Sequence, residues 1–558
     1  MKTRMHRRFF AAVMAASAAG AMSMAGLGAQ QPARVARPAD APHLLVMIVI
    51  DQFRADYVDW YGSAWTKGLR RLLDAGAVFT NAAYPYAATL TCAGHATIGT
   101  GAFPAVHGMS GNTFYDRALR RTLPCVFDAD ATSVAFGGGT GREHHSPRSL
   151  LAPTFGDELR RQAATAPQIV AIGEKPRTAI ALGGQSAPGT IAVWEEDDGT
   201  WATSDAYART PWPEVDRYVR AHPMKEAYGQ VWSLLRPPST YRFTDDAPGE
   251  GRPAPWGRTF PHPITSSKGT PDNEFVSAWE RSPFMDEFLT GMAIDLLQAR
   301  RLGLGAGIDL LTLSLPSLDH NGHEYGPRSF EVQDVLARLD VDLGRLMDAL
   351  DAQVGPNYVL GLSSDHGVAP LPEQITADGG DAGRLSSTAI RTAVTAAIQQ
   401  VLGDTGPFIA ALYEDQIALV PGVLEQLRAR PGGLQAVKTA LTRVTGIAAA
   451  YAVDDLYSPS TDPGVAAWRL SYVPGRSGDF LFTPKPNWIV MGTTGTTHGT
   501  LHAYDQHVPL MIFGKSIRPG HYADNATPAD LAPTFAALAG VTMPRAQGRA
   551  LTPAIKKN

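Results

Sequence analysis

His43-Leu44-Leu45-Val46-Met47-Ile48-Val49-Ile50-Asp51 decides the fold. An unbroken apolar run of strand length, with no polar alternation, predicts a strand buried on both faces, as in a parallel sheet. Asp51 then sits at its carboxyl tip. Comparable runs recur along the chain: Asp309 to Leu315 ahead of Asp319, Asn357 to Ser364 ahead of Asp365, and His507 to Gly514 after His498. Helical periodicity lies between them. The clearest case runs from Phe330 to Leu350, where Val332, Val335, Leu336, Leu339, Leu343, Leu346 and Leu350 share one stripe. Strands alternating with helices predict an α/β fold, with a doubly wound, mostly parallel central sheet flanked by helices. Such sheets bind ligands beyond the carboxyl ends of their strands, which is where Asp51, Asp319 and Asp365 fall.

The chain has 558 residues, is 44% hydrophobic and 18% charged, and carries a formal net charge of −4. A large core is affordable, and no basic footprint for nucleic acid exists. Residues 1–29 read as an export signal. Lys2, Arg4, Arg7 and Arg8 precede an uncharged stretch from Phe9 to Ala29 with small residues at its end. The alternative is an uncleaved anchor, which an Ala/Gly-rich stretch suits poorly. A periplasmic or secreted protein without stable membrane insertion after cleavage is expected. Residues 30–42 read as a Pro/Ala-rich linker and 43–558 as one catalytic domain. Residues at about 190–280, rich in Trp, Pro and Gly, and at about 370–490 read as cap-like insertions, or else as a second domain. Cys92 and Cys125 are the only cysteines; they either pair or stay free.

Six residues suggest metal chemistry: Asp51, Asp319, His323, Asp365, His366 and His498. Imidazole with carboxylate suits Zn²⁺. An Asp-His pair followed by Gly at a strand end, as in Asp365-His366-Gly367, lets two side chains leave a turn in different directions. That arrangement serves two metals about 4 Å apart. Singly, each residue is as well explained as a turn former or a structural histidine. His95, His107, His320, His502 and His507 are read as structural or supporting.

Thr91, in Thr89-Leu90-Thr91-Cys92-Ala93-Gly94-His95, opens a short helix running to about Gly99. A Thr at that point is either an N-cap or a nucleophile at a helix end whose N–H groups welcome phosphate. Thr89 and, less suitably, Cys92 compete for the second role. Lys175 and Arg177, two apart, are expected on one face of an extended segment; they form either a basic turn or an anion clamp.

The ordered series of Asp51, Thr91-Cys92-x-Gly94-His95-Ala96, Pro104-x-x-His107-Gly108, Asp319-x-x-x-His323, Asp365-His366-Gly367 and Thr497-His498-Gly499 resembles the alkaline phosphatase superfamily. It looks most like the bacterial phosphate-irrepressible, threonine-nucleophile enzymes, from about residue 43 to 545. The resemblance implies two Zn²⁺ ions, one held by Asp51, Asp365 and His366 beside Thr91, the other by Asp319, His323 and His498. It implies that Asn112, otherwise a turn residue, hydrogen-bonds a phosphate oxygen. It also implies that Lys175 and Arg177 match the K-x-R pair of the monoesterases, which the related phosphodiesterases lack. Two cations suit the nearly doubly charged monoester. The expectation is hydrolysis of small phosphate monoesters through a phosphothreonine, with release of inorganic phosphate. Phosphodiesterase or nucleotide pyrophosphatase activity is the alternative, and a non-catalytic zinc-binding protein a more distant one. The Thr91 segment lacks the C/S-x-P-x-R context of sulfatases.

Overall fold

The structure, a computed structural model, describes residues 34–185 and 189–556. The proposed signal at 1–29 lies outside them. Among the described residues, no helix is long and apolar enough to cross a membrane.

A ten-stranded mixed sheet organises the molecule. Its centre is parallel: Tyr358–Ser363, Leu44–Ile50, Asp309–Leu315, Ile169–Ile172 and Thr190–Glu195 lie side by side in that order. In the strand Leu44–Ile50 every residue is buried. Successive side chains alternate between two cores. Leu44, Val46, Ile48 and Ile50 pack with Leu296, Leu339 and Leu343 from the helices Pro283–Ala299 and Phe330–Val354. Leu45, Met47 and Val49 pack with Phe155, Leu531 and Phe535 on the opposite face. Burial on both faces is why the run shows no polar alternation. The stripe expected in Phe330–Val354 is buried throughout, and Ser329 caps that helix by accepting from the Val332 N–H at 3.3 Å.

Register aligns the functional ends. Ile50 pairs with Leu315, and Val49 with both Ser314 and Ser363. Asp51, the Ser317–Tyr325 helix and Asp365 therefore emerge from one edge. The expected His507–Gly514 strand is shorter, Leu510–Gly514, and runs antiparallel to Tyr358–Ser363. Its first residue, Leu510, pairs with Ser363, so the loop before it, carrying His498, reaches the same edge from the opposite direction. An apolar run encodes burial but not strand direction.

Residues 190–204, read from sequence as the start of an insertion, instead supply two strands of the central sheet, Thr190–Glu195 and Trp201–Ser204. Trp194 and Trp201 are buried there, as are Trp232, Trp256 and Trp279 further on. The described part of the linker is docked: the Val35 N–H donates to the Gln162 carbonyl at 2.7 Å. Between 370 and 490 the chain builds a separate antiparallel sheet of Ile409–Tyr413, Gln416–Leu419, Phe480–Pro484 and Ile447–Ala452. It has its own core, including Ile390, Val394, Leu427, Val437 and Phe482.

Candidate functional site

Asp51, Asp365 and His366 bring one ligand atom each within 4.8 Å of one another, and so do Asp319, His366 and His498. All five side chains are buried. His366 Nε2 lies 3.1 Å from Asp365 Oδ2 and 3.4 Å from Asp51 Oδ1. His323, one helical turn beyond Asp319, directs Nε2 to 3.2 Å from Asp319 Oδ1, and its ring centre is 5.0 Å from that of His498. All six candidate ligands thus meet in one cluster, with His366 belonging to both triads.

The histidines are oriented alike. His323 Nδ1 faces the Thr496 carbonyl at 2.8 Å, His366 Nδ1 the Gly367 carbonyl at 3.0 Å, and His498 Nδ1 the Thr89 carbonyl at 2.9 Å. A carbonyl only accepts, so each Nδ1 carries a hydrogen, and each ring in its neutral form presents the Nε2 lone pair to the carboxylate cluster. This is the usual support for metal-binding imidazoles. Asp51 Oδ1 and Asp365 Oδ2 are buried without hydrogen-bond partners, as oxygens intended for a cation would be. The donor set fits bound metal.

The clustered carboxylates and imidazoles shift one another's protonation. Burial, with the negative charges of Asp319 and Asp365, pushes Asp51 up to about 7. Burial alone would lower His366, but Asp365, helped by Asp51, overrides it and raises the imidazole to about 9. Burial and the neighbouring His366 and His323 hold His498 well below the ordinary range. Lys175 supplies compensation: its buried Nζ donates to Asp319 Oδ2 at 2.6 Å and to Asp51 Oδ2 at 3.2 Å.

Thr91 begins the helix Thr91–Thr100 as its first residue; Leu90 holds the cap position. The hydroxyl is buried, with Oγ1 3.3 Å from His366 Nε2. Gly94 permits this approach, since a Cβ there would collide with the Asp365 backbone. The rival nucleophiles are engaged elsewhere. The Thr89 hydroxyl donates to the Thr500 carbonyl at 2.7 Å, and Cys92 forms a disulfide with Cys125. One helix-end donor is also occupied: the Cys92 N–H donates to Asn112 Oδ1 at 2.8 Å. That bond fixes the Asn112 amide and leaves its NH₂ as the free, donating end.

Lys175 and Arg177 do not lie on an extended segment. Lys175 is the N-cap and Arg177 the second residue of the helix Pro176–Gly183. Pro176, with its fixed φ, opens that helix. Arg177 and Asn112 line one cavity of about 330 Å³, and Arg177 Nε is buried without a partner.

Sequence reasoning missed Gln52. It is fully buried at φ 69°, a left-handed conformation rare outside glycine. Its Nε2 donates to Asp319 Oδ1 at 2.6 Å and its backbone N–H to Asp365 Oδ1 at 3.1 Å. Backbone sign is not written in residue type, so no sequence signal marks it.

The model of the type I phosphodiesterase/nucleotide pyrophosphatase family matches residues 45–505. The chain belongs to that family. Among full-length relatives, this family member is 30% identical to alkaline phosphatase PafA of Elizabethkingia meningoseptica, over 95% of this chain and 96% of that one. It is 29% identical to alkaline phosphatase PhoV of Synechococcus elongatus, over 94% and 95%. The crystal structure of wild-type PafA superposes with a TM-score of 0.85, at 28% identity, covering 93% of this chain and all of that one.

Proposed function

We propose that this family member is a zinc-dependent alkaline phosphatase, hydrolysing small phosphate monoesters through a phosphothreonine at Thr91. The observation that carries the reading is a buried hydroxyl, Thr91 Oγ1, 3.3 Å from the Nε2 of a histidine shared by two ligand triads. Full-length similarity to alkaline phosphatases supports it.

Asp51, Asp365 and His366 would hold one zinc, and Asp319, His323 and His498 the other. When bound, the ions supply Lewis acidity that acidifies the attacking hydroxyl and water and neutralises charge on the departing oxygen. Thr91 Oγ attacks phosphorus in line, forming the Oγ–P bond as the ester P–O bond breaks and the alcohol leaves on the opposite side. Lys175, Arg177 and the Asn112 NH₂ donate to the non-bridging oxygens, where charge must be stabilised. Water then attacks the phosphothreonine, releasing inorganic phosphate and restoring the Thr91 hydroxyl.

Diester hydrolysis is the second reading. The family description names it, and the cavity beside Asn112 and Arg177 has room for a second ester group. Hydrolysis of p-nitrophenyl phosphate against its bis-ester separates the two. A strong monoester preference supports the proposal; a diester preference reverses it; turnover of neither points to a zinc-binding protein. Residues 1–29 are proposed as an export signal delivering the protein to the periplasm or the medium, which N-terminal sequencing of the exported protein would test.

A further inference from the structure

Tyr413-Glu414-Asp415-Gln416 is the tip of a hairpin joining Ile409–Tyr413 to Gln416–Leu419, with Tyr413 paired to Gln416. Two-residue turns of this kind favour Gly, Asn or Asp, because they require positive φ. Here the position is held by glutamate at φ 52°. A long acid in a strained turn suggests a task beyond turning the chain.

The hairpin docks against the strand Thr113–Asp116, with Tyr115, Ala411, Tyr413 and Ala418 in contact. From there Glu414 Oε1 accepts from the Asn112 N–H at 2.9 Å and from the Thr113 N–H at 3.4 Å. Its other oxygen, Oε2, is buried against Gly111, where a Cβ would collide with the carboxylate. Burial pushes this carboxyl up to about 7 against the two N–H groups and Arg177, so keeping it here has an energetic cost.

Asn112 is thereby held from three sides. Its side chain accepts from the Cys92 N–H, its carbonyl accepts from the Cys125 N–H at 2.9 Å, and its own N–H donates to Glu414. The first two tie it to the nucleophile's helix and to the disulfide. The third comes from the region at 370–490 and fixes the peptide that aims the side chain. We infer that Glu414 is a positioning residue through which the 370–490 region sets the aim of the Asn112 amide at the phosphoryl group. The inference rests on the monoesterase reading of the site.

The test uses zinc-loaded protein, p-nitrophenyl phosphate turnover, competitive inhibition by inorganic phosphate, and metal content. Glu414→Ala and Glu414→Asp, the second keeping the charge and tolerating positive φ but one methylene short, should each lower kcat/KM about 10- to 100-fold, as loss of a supporting contact does. Phosphate inhibition should weaken in parallel, with metal content unchanged. Glu414→Gln, which still accepts from both N–H groups, should stay within about threefold of wild type on the same reasoning. In an Asn112→Ala background, Glu414→Asp should change nothing further. Wild-type activity in Glu414→Asp, or a full additional loss on top of Asn112→Ala, would overturn the inference while leaving the monoesterase reading intact. A wild-type protein that neither cleaves the ester nor binds phosphate would overturn both.

Discussion

Replacing Lys175 with alanine separates two roles of one ammonium group. Its Nζ bridges Asp319 and Asp51 at 2.6 and 3.2 Å, and in the proposed reaction it also faces the transferred phosphoryl group. Loss of one charged donor from a water-excluded site costs roughly 2.7–4 kcal/mol, or 10²- to 10³-fold in kcat. Coulomb energy scales with ligand charge, and a diester carries about half the charge of a monoester. The diester should therefore lose roughly half as much, about 1.4–2 kcal/mol, or on the order of 10- to 30-fold. Lys175→Ala should cut kcat/KM for p-nitrophenyl phosphate by about two to three orders of magnitude and for the bis-ester by about one, shrinking the preference on the order of 10- to 30-fold. Steady-state kinetics on both esters, with metal content determined on the same samples, read this directly. Equal losses on the two esters, or losses that track metal content, would rule out a charge-selective contact between Lys175 and the phosphoryl group. Lys175 would then act only as the partner of Asp51 and Asp319.

Metal binding should release protons. His366 at about 9 and Asp51 at about 7 hold protons in the metal-free site, whereas a metal needs neutral imidazole and ionised carboxylate. Apparent zinc affinity should rise as pH climbs through about 7 and flatten above about 9; calorimetry at pH 7 in buffers of different ionisation enthalpy showing no proton release would contradict this. Gln52→Ala removes the 2.6 Å hydrogen bond to Asp319 and should weaken metal retention about 10- to 100-fold in competition with a chelator. Joint replacement of Cys92 and Cys125 by alanine opens a link across 33 residues and should cost about 3–4 kcal/mol in urea unfolding; an unchanged midpoint would refute the pairing.

Much of the fold is legible in His43–Asp51 and its counterparts, because a strand buried on both faces needs an unbroken apolar run. The same runs position Asp51, Asp319 and Asp365, because parallel strands end at one edge. Residue type says less about direction and backbone sign. Leu510–Gly514 is as apolar as its neighbours yet antiparallel, and its hydrogen-bond partners rather than its composition decide that. Lys175 and Arg177 alternate in sequence but straddle a helix start that Pro176 imposes. Gln52 and Glu414 depend on positive φ, and the pairing of Cys92 with Cys125 depends on how distant loops return to the edge.

The proposed reaction passes through a covalent intermediate on Thr91. Zinc-loaded enzyme should be mixed with a ³²P-labelled monoester, quenched in acid within a turnover, digested and mapped. Label is expected on the peptide containing Thr91, recovered as phosphothreonine and absent from Thr91→Ala, which should also be inactive. Rapid monoester turnover with no labelled peptide, or full activity in Thr91→Ala, would contradict that intermediate.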